Sequence, residues 1–235
     1  MSLAADARML WHLLRGASRE GSHAQRLQRF YAPQAQGYDA FRERLLHGRR
    51  ELIERLPAGA GARVIELGGG TGRNLEFFGE RLAGFAAFEL VDLCPALLQV
   101  ARARADRLEP GRARNLRLIE GDATDYRPAG TPDCVYFSYA LTMIADWRRA
   151  VENAVAMLAP GGTLGVVDFH LPRNATPSSR FWRAWFAHDG VWLSDAHLDF
   201  LGARLDPLYR DERRAPVPYL PGLRVPYYLF IGRKR

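Results

Sequence analysis

The chain has 235 residues, 48% of them hydrophobic and 25% charged. That length holds one large α/β domain with attachments, and that balance excludes a disordered or fibrous chain. The formal net charge of +7 is carried almost wholly by arginine, with Lys234 the sole lysine. Such a charge is either a compositional habit or an attraction to a polyanion, whether nucleic acid or an anionic membrane surface.

In chain order, Leu3 to Leu14 reads as a short helix with Leu3, Ala7, Leu10, Trp11 and Leu14 on one face. Asp6 and Arg8 interrupt its apolar run, so it makes a poor signal peptide. A second helical region runs from about His23 to Leu56, broken early by Pro33 and ended by the Pro57–Gly61 stretch. An alternation follows. Arg63–Leu67 is a strand, then come glycines and a helix from Asn74 to Leu82. Ala86–Asp92 is a strand, followed by a helix from about Pro95 to Arg107. Leu116–Glu120 and Cys134–Ser138 are strands, Asp146–Leu158 a helix, and Thr163–Phe169 a strand after the Pro160–Gly162 turn. Tyr227–Ile231 reads as the final strand, in an antiparallel hairpin. Strand–helix alternation of this kind predicts an α/β fold, a mostly parallel Rossmann-like sheet with an antiparallel final strand and helices on both faces. No stretch approaches the roughly 20 apolar residues of a spanning helix. The chain is therefore expected to be soluble or to lie on a membrane.

Cys94 and Cys134 form no CxxC pair and are expected to be reduced thiols of a cytosolic protein. The six histidines show no metal-ligand spacing. No metal site is expected.

The run "VIELGGGTGRN", Val64–Asn74, is a strand, a glycine cluster and a helix start. A P-loop needs a lysine that is absent here. A dinucleotide loop wants GxGxxG, but from Gly68 the third glycine falls on Arg73. What remains is Glu66, Gly68, Gly70 and Gly72, which resembles the first motif of class I S-adenosylmethionine (SAM) methyltransferases. SAM has no phosphates, so the glycines need only let the backbone pass close to a nucleoside and an amino-acid tail. The resemblance implies a cofactor set along the following strands. Glu66 meets the ammonium. Asp92, with Leu93 beside it, accepts the ribose hydroxyls. Asp122 accepts from the adenine amine, with the Ala123 and Thr124 backbone facing the ring. Ser138 ends the fourth strand and Tyr139 follows it, near the methyl group.

Four longer runs narrow the resemblance: "FYAPQAQGYDAFRERLLHGR" (Phe30–Arg49), Met143–His170, "FWRAWFAHDGVWLS" (Phe181–Ser194) and "RVPYYLFIGRK" near the end. Together they resemble the N-methyltransferases of betaine-lipid synthesis, which trimethylate the amine of diacylglycerylhomoserine. On that resemblance Tyr31, Tyr38, Asp39, Tyr139 and His170 line the methyl-transfer site, with Asp39 or His170 taking the amine proton. Gln34 and Arg49 meet the carboxylate of SAM or of the homoserine headgroup. The resemblance also implies a partner enzyme that first places the aminocarboxypropyl group on diacylglycerol.

Residues 1–57 are then expected to form a helical lid and membrane-contact region. Residues 58–235 form the SAM-binding domain, with an aromatic helical insertion at about 177–204. Trp182, Trp185 and Phe186, flanked by Arg180 and Arg183, have the composition of an interfacial segment. At helical spacing the same rings equally suit packing over the sheet. A location on the inner face of the cytoplasmic membrane follows from the lipid reading. Nucleic acid is not expected as a partner, because no concentrated basic tract is present and "SYAL" follows the fourth strand where a base-stacking motif would stand.

Overall fold

A computed structural model describes residues 45–171, 193–217 and 222–235. The expectations for Leu3–Leu14, for the helical region up to residue 44, and for Phe181–Trp192 lie outside the described residues. Seven strands form one sheet: β1 Arg63–Leu67, β2 Ala87–Asp92, β3 Leu116–Glu120, β4 Cys134–Ser138, β5 Thr163–Phe169, β6 Leu205–Pro216 and β7 Arg224–Lys234. Their order is β3-β2-β1-β4-β5-β7-β6. The first five pair in parallel, and β7 runs antiparallel to both β5 and β6. The described helices are α1 Arg49–Arg55, α2 Leu75–Phe78, α3 Arg81–Gly84, α4 Pro95–Ala105, α5 Trp147–Met157 and α6 His197–Arg204.

The β4 and β5 segments are apolar almost throughout because both faces of a central parallel strand are covered. Alternation along β1 sends Val64 and Glu66 to one face and Ile65 and Leu67 to the other. On the first face Leu52 of α1 and Phe78 of α2 join Phe85, Phe88 and Tyr136. Phe78 and Phe88 meet edge to face, 5.3 Å between centroids, and each such buried ring contributes roughly 2 kcal/mol. On the second face Trp147, Ala150 and Val151 of α5 and Leu198 and Leu201 of α6 pack on Ile65, Val135 and Leu164.

Two expectations need correction. The helix expected over Asn74–Leu82 is two short helices, because Gly79 takes φ 55° and ends the first. The last strand extends from Arg224 to Lys234, well beyond the apolar Tyr227–Ile231. The reason is its partner: β6, a charged segment, supplies ladder hydrogen bonds along nearly the whole length of β7.

Strand order reverses between β1 and β4, so the loops after them diverge and leave a crevice at the carboxyl ends.

Candidate cofactor and active site

The crevice holds a cavity of about 350 Å³, lined by the loops after β1, β2, β3 and β4 and by Leu46 and Arg49. The glycine loop forms its floor. Gly68 and Gly70 take φ of 72° and 56°, a region that side chains rarely enter. A Cβ on Gly68 would also stand 2.5 Å from Ala140 Cβ. The amides of Gly68 and Gly69 both donate to Val91 O, at 2.8 and 3.1 Å.

Two buried carboxylates hold this loop. Asp92, 9% exposed, accepts from Gly70 N with Oδ2 and from Cys94 N with Oδ1, both at 2.8 Å. Burial raises its pKa, and those amide donors oppose the rise. Glu66, 1% exposed, accepts from Asn74 Nδ2 at 2.6 Å. Burial pushes its carboxyl up to about 7, against the opposing pull of Tyr136, Asn74 and the Arg49 charge. Glu66 Oε2 and Asn74 Oδ1 are buried without a well-formed hydrogen bond among the described residues, and the buried Tyr136 hydroxyl beside Glu66 likewise lacks one. Buried acceptors left unpaired are costly. Glu66 and Asn74 both line the cavity, and acceptors of this kind fit the ammonium of a SAM amino-acid tail.

At the other end, Asp122 Oδ1 accepts from Thr124 N at 2.8 Å, closing a turn that brings Asp122, Ala123 and Thr124 to the wall. Leu93 and Ser138 also line the cavity. Tyr139 is the one described non-glycine residue with positive φ, at 56°. Such strain costs of order 1–3 kcal/mol and persists where surroundings enforce it. Here its amide donates to Val167 O at 2.8 Å, its hydroxyl donates to His47 O at 2.7 Å, and its ring meets Phe169 edge-on. The hydroxyl is thus committed to the chain before α1, and what Tyr139 offers the cavity is its ring.

The structure brings Arg49, Glu66, Gly68, Gly70, Asp92, Leu93, Asp122, Ala123, Ser138 and Tyr139 to one cavity. Gly72, with φ 68°, closes the loop behind it against Ala101. His170 is not brought there. It ends β5 on the side of β6 and β7, its Nε2 2.9 Å from Glu212 Oε2 and its ring packed against Tyr228. The cause is the hairpin: His170 N donates to Pro226 O, which turns the residue toward β7. Tyr31, Tyr38 and Asp39 lie outside the described residues.

Sequence reasoning missed several residues. Asn74 stood inside the quoted glycine run without a role. Asp146 and Arg149 line the rim, and Asp146 caps α5 by accepting from Arg149 N. Asp168 is fully buried and accepts from Thr142 N and Oγ1 and from Phe169 N. It thereby ties the Leu141–Met143 turn, which carries wall residue Met143, to β5. Burial pushes its carboxyl up to about 6. An acid inside "GVVDF" was the available signal.

A family described as a methyltransferase domain matches residues 38–204. The chain belongs to this family. Trans-aconitate 2-methyltransferase of Methylobacterium radiotolerans is 31% identical over 185 residues, covering 77% of this chain and 66% of the relative. A ubiquinone/menaquinone biosynthesis C-methyltransferase, UbiE of Pseudomonas fluorescens, is 28% identical over 168 residues, covering 69% and 65%. The chain thus spans slightly less than two thirds of the length of these curated relatives. Among solved structures, the N-methyltransferase NodS of Bradyrhizobium japonicum, in complex with S-adenosyl-L-homocysteine, aligns with TM-score 0.60 at 20% identity, covering 79% of this chain and 85% of that one. The [4+2]-cyclase SpnF aligns with TM-score 0.70 at 15% identity, covering 93% and 98%. At those identities the likeness is one of fold. The methyltransferase domain takes SAM as its cofactor, and the glycine loop, Glu66, Asp92 and Asp122 line the cavity.

Proposed function

We propose that this methyltransferase trimethylates the amine of diacylglycerylhomoserine on the surface of a membrane. The observation that carries the reading is that Arg49 and Tyr139 line one cavity. Arg49 is 8% exposed and lines the cavity, and its charge is felt by both Glu66 and Tyr139. An acceptor with a carboxylate beside its amine suits that pair. The guanidinium meets the carboxylate, and an aromatic ring faces the cation that grows with methylation. The runs Phe30–Arg49 and Phe181–Ser194 add their resemblance to the betaine-lipid enzymes.

SAM supplies a methyl group on a sulfonium, so the protein's task is positioning and electrostatics. In this reading Asp92 accepts the ribose hydroxyls, Asp122 the adenine amine, and Glu66 with Asn74 the ammonium. The amine nucleophile loses its proton to Asp39 or to water before each attack; His170 drops out because it lies away from the cavity. The arginine-rich chain and the aromatic stretch Phe181–Trp192 provide the contact with anionic lipid, on the inner face of the cytoplasmic membrane. Among the described residues no helix is long and apolar enough to cross a membrane. The homoserine lipid would come from a separate enzyme that moves an aminocarboxypropyl group onto diacylglycerol.

A small soluble carboxylate is the second reading. It is favoured by the trans-aconitate relative and by the three arginines in the wall, Arg49, Arg73 and Arg149.

The test is methyl transfer from labelled SAM with liposomes carrying diacylglycerylhomoserine, phosphatidylethanolamine or neither, and with trans-aconitate alone. Stepwise methylation of the homoserine lipid only is the expected result. Methylation of trans-aconitate with no labelled lipid would replace the lipid reading by the second one.

A further inference from the structure

The buried stripe of α5 carries one polar side chain. Ala150, Val151 and Ala154 are apolar, while Asn153, 6% exposed, stands among them. Its Nδ2 donates to two backbone carbonyls of the loop after β3, Ala123 O at 3.0 Å and Tyr126 O at 3.1 Å. Its Oδ1 accepts from Arg127 Nη1. Both ends of the amide thus have partners, which sets its orientation from both sides. Arg127 holds the same loop from the exposed side, donating to Tyr126 O at 2.9 Å and Asp125 O at 3.1 Å.

The loop has other fixings, but they act elsewhere. Gly121 N donates to Asp92 O, and Tyr126 Oη donates to Glu89 Oε2 at 2.7 Å. Between these points, among the described residues, the loop closes on itself through Thr124 N to Asp122 Oδ1 and through Asp125 N and Tyr126 N to Asp122 O. Asn153 is what ties Ala123, the neighbour of Asp122 in the cavity wall, to another element. Without that donor the buried Ala123 carbonyl has to move to find a partner, and Asp122 moves with it.

We propose that Asn153 is a positioning residue for adenine recognition: it fixes Ala123 and so aims the Asp122 carboxylate at the exocyclic amine of the cofactor's base. The inference rests on Asp122 as the adenine acceptor, and it is independent of which molecule accepts the methyl group.

The experiment is calorimetric binding to the purified full chain of two ligands, S-adenosylhomocysteine and S-inosylhomocysteine. The second carries a carbonyl where adenine has its amine. The parent protein should prefer the adenosyl ligand by roughly tenfold or more, because Asp122 faces a donor in one case and an acceptor in the other. In Asn153→Ala the adenosyl ligand should weaken by roughly tenfold while the inosyl ligand changes far less, so the preference collapses. Equal weakening of both ligands overturns the proposal and leaves Asn153 as plain structural support. A parent protein with no preference overturns the Asp122 reading and this inference with it, whatever the lipid assay shows. Arg127→Met, at an exposed position, keeps the question open to refutation if Asn153→Ala does not fold. It frees Asn153 Oδ1 and should narrow the preference by a smaller factor, and an unchanged preference counts against the proposal.

Discussion

Asp92 Oδ2 accepts the amide of Gly70 at 2.8 Å, which makes the end of β2 and the tip of the glycine loop one mechanical unit. The other oxygen of the same carboxylate takes Cys94 N at the start of α4. One buried acid thus fixes two walls of the cavity.

Asp92→Asn replaces one of those oxygens by a donor that must face a backbone N–H. SAM or S-adenosylhomocysteine affinity should fall roughly tenfold to a hundredfold, read by calorimetry. Folding should survive with a modest loss, because the sheet pairs of β2 do not involve this side chain. Unchanged affinity would refute the role.

Glu66 ties stability to pH in an unusual direction. Its folded pKa, about 7, lies above the ordinary 4.5, so the folded state keeps a proton that the unfolded state has lost. The stability it contributes is complete below about 4.5 and is lost as pH rises through about 7. The difference across that window is about 3 kcal/mol. Glu66→Gln should flatten the window when melting is followed from pH 5 to 8, and should weaken SAM by removing the charge opposite its ammonium. Equal pH slopes in the two proteins would contradict the burial argument.

His197 acts in the opposite sense. It is fully buried at the start of α6, its ring 4.4 Å from that of Trp147 and its Nδ1 3.3 Å from Tyr228 Oη. Burial lowers its pKa from 6.5 to about 4, helped by the neighbouring His170 and Arg148. The neutral ring's stability is present above about 6.5 and is lost as pH falls through about 4. The acid limb of the melting curve should become shallower in His197→Leu, and the alkaline side should change little. An acid limb identical to the parent's would place the sensitive group elsewhere.

Tyr139 separates two roles by its two parts. Tyr139→Phe removes the hydrogen bond to His47 O and keeps the ring against Phe169. The expected cost is about 1 kcal/mol of stability, with methyl transfer at saturating substrates within a few-fold of the parent. Tyr139→Ala should cost several kcal/mol and most of the turnover. A large loss of turnover in the phenylalanine variant alone would return the hydroxyl to the chemistry.

Much of the cofactor end was legible in the chain because its signals are local. A glycine run after an apolar strand, and acids at the ends of the next two strands, fall into place once the strands are parallel and in order. The positive φ of Gly68, Gly70 and Gly72 is permitted by the residue type that the sequence places there. The helix break at Gly79 was also present as a residue, but a lone glycine inside a helical pattern does not announce which φ it takes. The β6 strand was hidden for a different reason: "LDPLYRDERRAP" lies at a sheet edge, where charged side chains are tolerated and no apolar stripe is needed.

The sequence by itself determined the class of sheet, the loop that receives the cofactor and the acids that follow its strands, because each depends on residue type and near spacing. Only the tertiary structure decided that His170 faces the β6–β7 hairpin, that the Tyr139 hydroxyl is spent on His47, and that Asn153 reaches Ala123 across 30 residues. Those outcomes follow from which strand pairs with which and how α5 lies on the sheet. Contacts between segments distant along the chain carry no periodic signal, because no repeat within either segment records the other's position.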